Sequence, residues 1–163
     1  MQAAETNKRL VKFIVAAVLF FAWGVIQGAL QAQKPIHDFL QQGPANIIVG
    51  AHVHINLLGW VSLMLAASIY YLVPVLTNKP IVAPRLIDWI FWLWTIDLVI
   101  MAVFMITVGI VSGNAFAAGI VGPKLDAIMT PYMIPIGIIS ILCAIIELTF
   151  VVQVLASLTR KRG

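Results

Sequence analysis

Apolar residues fill four long blocks of this chain, and short stretches rich in Pro, Lys and Arg separate them. The blocks predict helices over about residues 10–30, 47–75, 86–111 and 133–155. Each exceeds the ~20 residues that cross ~30 Å of hydrocarbon at ~1.5 Å per residue. Helix is the conformation this environment dictates, because every backbone N–H and C=O has to be paired inside the segment. Pro44 opens the second block and Pro74 closes it. Pro80 and Pro84 punctuate the next connection, and Pro131 and Pro135 mark the start of the fourth block. Pro135 falls in that helix's first turn, where a missing N–H costs little. The chain reads as an all-α integral membrane protein: one domain over residues 1–163, with four transmembrane helices in a bundle.

Lysine and arginine orient the bundle. With the N-terminus inside, the inner side holds Lys8, Arg9, Lys12, Lys79, Arg85, Arg160, Lys161 and Arg162, and the outer side only Lys34 and Lys124. The positive-inside rule then puts both termini in the cytoplasm. The basic, then apolar N-terminus also has the order of a signal peptide. Its apolar run is about twenty residues, against about 7–15 for that class, and no clean small-x-small site follows, so it is read as the first span.

Composition agrees with the pattern. Of the 163 residues 62% are hydrophobic and 10% charged, against roughly 25% charged in soluble domains. That leaves too little polar surface for a soluble fold. The net charge of +4 flanks apolar runs and forms no solvated basic face, so the lipid bilayer is the partner and nucleic acid is not. The single cysteine, Cys143, excludes an intrachain disulfide and a cysteine-based metal site.

The chemistry lies in the second block, at His52-Val53-His54. Hydrocarbon offers an imidazole no water, so an ionisable residue at this depth is a functional-site hypothesis by default. The two histidines lie about 8 and 10 Å past Ile47 by helical rise. At i and i+2 they diverge by about 200° around the helix axis, so one chain can offer a given metal atom only one of them. The plain alternative is that both hydrogen-bond neighbouring helices and hold the bundle together.

The surrounding residues sharpen the choice. His52-Val53-His54, then Leu58-Gly59-Trp60-Val61, then Tyr70-Tyr71-Leu72-Val73-Pro74, resembles the tenth helix of haem-copper oxidase main subunits. The cytochrome-cbb and nitric-oxide-reductase branches are the most similar in wording. The resemblance implies that His52 faces a high-spin-like haem site and His54 a low-spin-like one, with haem b as cofactor and a bacterial or archaeal inner membrane as the location. Members of that family have twelve helices in three sets of four, whereas this chain has one set. The copper-site histidines of the family have no counterpart here, so one copy cannot assemble a complete haem-copper centre, and whether the chain is an enzyme stays open.

The expected function is therefore haem binding in electron transfer to or from a redox partner, or in binding or reducing oxygen or nitric oxide. The alternative is an accessory or assembly subunit of a respiratory complex whose histidines are structural. A homo-oligomer would complete the site. Three copies would imitate the twelve-helix body and bring His54 of one subunit to His52 of the next, an arrangement favoured over a two-fold dimer.

Four further residues belong to the expected site. Asn56 lies one turn after His52 and can bond its ring or a neighbouring backbone. His37, in the loop from Gln33 to Pro44, is the remaining histidine and within reach as a second ligand or a propionate contact. Asp97 falls near the middle of the third helix and Glu147 in the inner half of the fourth. Each reads either as a step in a proton path to the cofactor or as a neutral acid bonded between helices. Gly24-x-x-x-Gly28 and Gly109-x-x-x-Gly113 read as packing motifs, and Asp88 as a solvated residue at the inner interface.

Overall fold

Backbone groups that cannot reach water pair along the chain, and the computed structural model shows this throughout residues 2–160, with side chains described from Lys8 to Arg160. Lys161 and Arg162, counted above in the charge balance, lie outside the described residues. The elements are α1 (Gln2–Gln31), α2 (Lys34–Leu40), a 3-10 turn (Gly43–Asn46), α3 (Ile47–His54), a π-helical segment (Ile55–Ser62), α4 (Leu63–Thr77), α5 (Arg85–Ala117) and α6 (Pro123–Thr159). Among the described residues there is no strand. Among the described residues four helical stretches are long and apolar enough to cross a membrane: Lys8–Gln31, Gly43–Thr77, Arg85–Ala117 and Pro123–Thr159.

The second stretch is one continuous rod made of the 3-10 turn, α3, the π segment and α4. Pro44 stands at the first turn of this rod, as expected from its missing N–H. The π segment is absent from the sequence reading. Asn56 stands at its start, and its side-chain amide donates to the His52 carbonyl at 2.9 Å. That carbonyl is the one Asn56's own N–H would take in an α-helix, so the side chain competes with the ladder. An i→i+5 register accommodates the extra turn residue.

The fourth helix also differs from expectation. α6 begins at Pro123, ten residues before Met133, and continues through Pro131 and Pro135 as interior residues. Proline removes one N–H from the ladder, and helices that pack in a membrane tolerate this where neighbouring groups re-satisfy what is freed.

Aromatic and small residues set the packing. Phe13 of α1 meets Tyr70 of α4 and Phe91 of α5 with ring centroids 6.0 and 4.9 Å apart. Phe150 of α6 meets Tyr70 edge-on at 5.2 Å. Added Cβ atoms on Gly109 and Gly113 of α5 would lie 2.3 Å from Ile48 and 2.6 Å from Phe39, so this pair admits α2 and the start of α3. Trp94 is buried against Phe150, whereas Trp89 and Trp92 are exposed on the bundle surface. α6 keeps most of its face outward, with Ile134, Ile138, Ile141, Ile145 and Leu148 exposed as a lipid-facing helix requires.

Polar links close the end where α1 begins and α6 finishes. Arg9 and Lys12 of α1 both pair with Asp88 of α5, so Asp88 is not the solvated residue expected of it. Two cations from a helix distant in sequence find it there. Tyr70 Oη donates to Gln153 Oε1 at 2.7 Å, and Gln153 Nε2 donates to the carbonyls of Val82 and Ala83 at 2.8 and 3.0 Å. Ser157 Oγ accepts from the Val82 N–H at 3.0 Å. These bonds fix the α4–α5 connection onto α6.

Candidate functional site

The two histidines occupy different compartments of the bundle. α3 holds them just before the π segment, and their i, i+2 spacing sends them to opposite sides, as expected. His52 faces α1. A Cβ built on Gly28 would lie 3.1 Å from His52 Cε1, and one on Gly24 would lie 2.4 Å from Asn56 Oδ1. Gly24-x-x-x-Gly28 is therefore the flat surface against which His52 and Asn56 rest. Asn56 Nδ2 also sits 3.3 and 3.4 Å from the two ring nitrogens of His52. One turn nearer the α2 end, Gln27 and Gln31 direct their amides to the Ile48 carbonyl at 3.3 and 3.4 Å.

His54 faces α5 and α6. Its Nδ1 lies 2.8 Å from the Gly50 carbonyl oxygen. A carbonyl only accepts, so Nδ1 is the donor, and in the neutral ring the lone pair is then on Nε2. The ring lines a groove of about 160 Å³ with Leu58, Met101, Ser140, Cys143, Ala144 and Glu147. The Ser140 hydroxyl is occupied by the Ile136 carbonyl at 2.8 Å.

The structure gathers Asp97 and Glu147 on this same side. Cys143 Sγ lies 3.8 Å from Glu147 Oε1. Asp97 is buried, and its Oδ2 has no hydrogen-bond partner. Cys143 was not among the expected site residues. A lone cysteine in an apolar run carries no signal in sequence, and only the packing of α6 puts it in the groove of His54, one turn before Glu147. His37, by contrast, is exposed on α2. Among the described residues no three His, Cys, Asp or Glu side chains converge as a metal-ligand set.

This donor arrangement suits a planar metal macrocycle better than a bare ion. One imidazole is presented with Nε2 unbonded and its orientation fixed by a carbonyl bond, beside apolar Leu58 and Met101, small Ser140 and Ala144, and polar Cys143 and Glu147. His52, held by Gly28 and Asn56, is less free to turn outward.

Comparison with known proteins places this geometry in a family. Residues 2–152 match the family described as Cytochrome C and Quinol oxidase polypeptide I, and the chain belongs to it. It is 30% identical over 110 residues to a cytochrome c oxidase subunit 1 homolog of Azorhizobium caulinodans, covering 67% of this chain and 19% of that protein. It is likewise 30% identical over 110 residues to the cbb3-type cytochrome c oxidase subunit CcoN1 of Stutzerimonas stutzeri, covering 67% of this chain and 23% of that one. A homolog from Agrobacterium tumefaciens is 30% identical over 102 residues, 62% of this chain and 18% of the homolog. The chain thus spans about a fifth of the length of the curated relatives it matches. The haem-copper oxidase superfamily read from the segment between His52 and Pro74 is the family found.

Proposed function

We propose that this chain is a haem b-binding unit of a membrane electron-transfer system, with His54 as axial ligand through Nε2. The observation that carries the reading is the 2.8 Å bond from His54 Nδ1 to the Gly50 carbonyl. It fixes the tautomer, orients the ring and raises the basicity of the free nitrogen. The haem would supply one-electron chemistry, or an open coordination position for oxygen or nitric oxide. His54 binds and orients it. Leu58, Met101, Ser140 and Ala144 exclude water around it, and Glu147, Cys143 and Asp97 hold and pass protons at its edge.

A second protein ligand, if the haem takes one, would come from outside these four helices. In the proposed assembly three copies close a ring in which His52 of one subunit faces His54 of the next. Both termini lie in the cytoplasm, and the membrane is the bacterial inner membrane. A second reading, favoured by the packing of His52 on Gly28 and Asn56, gives His52 a structural role in joining α1 to α3. An accessory subunit with structural histidines would extend that role to His54 as well.

One spectrum tests the proposal. Protein purified in mild detergent from haem-replete cells is expected to carry protohaem, with a sharp Soret band. A colourless preparation that takes up no added haemin would overturn it.

A further inference from the structure

A second concave surface lies away from the histidines, at the end of the bundle where α6 finishes. It is a groove of about 430 Å³, within the roughly 300–1,000 Å³ of ordinary ligand sites. One wall is Val82, Ala83 and Leu86 on the α4–α5 connection and the first turn of α5. The other is Ile145, Leu148, Thr149, Val152, Gln153 and Ala156 of α6. From Ile145 to Ala156 it follows α6 for about 16 Å by helical rise.

Its two polar side chains are already occupied. Thr149 Oγ1 donates to the Ile145 carbonyl at 2.7 Å. Gln153 uses its amide on Val82 and Ala83 and its oxygen on Tyr70. The walls therefore leave no free side-chain donor, and with seven of the nine lining residues apolar the occupant of the groove itself is predominantly apolar.

The mouth is different. Arg85 adjoins Leu86 and is exposed, and Arg160 caps α6 with its N–H on the Ala156 carbonyl. Lys79 Nζ reaches the Arg160 carbonyl at 2.5 Å, which brings a third cation to the same place. Among the described residues neither Arg85 nor Arg160 has an ion-pair partner, and the nearby carboxylate, Asp88, is taken by Arg9 and Lys12. An apolar trough about 16 Å long ending in uncompensated arginines matches one kind of molecule.

We infer that this groove holds one acyl chain of an anionic phospholipid whose phosphate is bound by Arg85 and Arg160 at its mouth. The experiment uses the full chain in detergent micelles containing equal amounts of phosphatidylglycerol and phosphatidylcholine, with retained lipid counted by native mass spectrometry. One phosphatidylglycerol per chain is expected. The double replacement Arg85→Gln and Arg160→Gln, both exposed and tolerated by the fold, should reduce its retention about thirtyfold, at roughly fivefold per cation near an anionic group. Ala156→Phe, which fills the groove next to its mouth, should displace the lipid while leaving helicity and thermal midpoint unchanged. Equal retention of phosphatidylcholine, or full retention of phosphatidylglycerol by the arginine double variant, would overturn the inference. So would a lipid-free oligomer that Ala156→Phe dissociates, since a second copy would then be the occupant.

Discussion

His54 Nδ1 and the Gly50 carbonyl oxygen lie 2.8 Å apart within one turn of α3, and this single bond leaves Nε2 as the nitrogen that the proposed haem would use. It also fixes what the variants should show. His54→Ala is expected to abolish the low-spin spectrum, since nothing else in its groove is an imidazole. In the proposed ring His52→Ala should do the same, because each iron would lose one of two ligands, with about one haem per chain and a native mass of three chains in the parent protein. Retention of the full low-spin spectrum by His52→Ala would assign His52 to the α1 interface alone. His37→Ala, on an exposed short helix, should leave the spectrum unchanged.

The α1 interface can be tested separately. Gly24→Ala would put a methyl 2.4 Å from Asn56 Oδ1, so the amide has to leave its bond to the His52 carbonyl. Destabilisation of about 1–3 kcal/mol is expected from such overpacking. In the double variant with Asn56→Ala the clash has no partner. The two losses should then fall short of additivity by about 0.5–3 kcal/mol, the range found for residues in contact. Thermal midpoints of the four proteins in one detergent measure this, and strict additivity would show that Gly24 and Asn56 do not meet.

The parts of the molecule that were legible in sequence are those that hydrocarbon dictates. Four apolar blocks became four spans because backbone pairing leaves no other conformation, and His52 and His54 diverged because helical geometry requires it. What was misread or missed falls into two kinds, local backbone behaviour and contacts between distant residues. Pro131 and Pro135 read as a helix start because proline breaks helices in water, yet α6 passes through both. The π segment has no signal of its own, since residues 55–62 are too uniformly apolar to betray a change of period. Gly24 and Gly28 were legible as packing residues, but not that His52 and Asn56 are what they accommodate. Cys143 joins the groove of His54, and Asp88 its two cations, only when α5 packs on α6 and α1.

Gln153 joins three pieces of chain through one amide. Gln153→Leu would strand the buried Tyr70 hydroxyl and take the amide away from the carbonyls of half-buried Val82 and exposed Ala83. A stranded buried group costs about 1–3 kcal/mol, so a clear loss of thermal midpoint is expected. Tyr70→Phe removes the hydroxyl alone and leaves Gln153 bonded to the connection, so about 1 kcal/mol is expected there. A Gln153→Leu protein as stable as the parent would show that the connection is held by its apolar contacts instead.

Asp97 is buried with its Oδ2 unpartnered, and half-buried Glu147 meets the Cys143 thiol in the groove that His54 faces. Both carboxyls lie well inside membrane-spanning helices. If they hold the proton that accompanies an electron, the reduction potential should fall as pH rises, by up to about 59 mV per pH unit for one proton per electron. Asp97→Asn and Glu147→Gln keep the shape of each side chain and remove its proton. Either replacement should therefore flatten the slope while the haem stays bound. Cys143→Ala should flatten it as well if the thiol carries the proton between them, and should leave it intact if each carboxyl works alone. Redox titration at several pH values, with thermal midpoints taken on the same samples, separates this from a packing role. A packing residue would lower the midpoint and leave the slope unchanged.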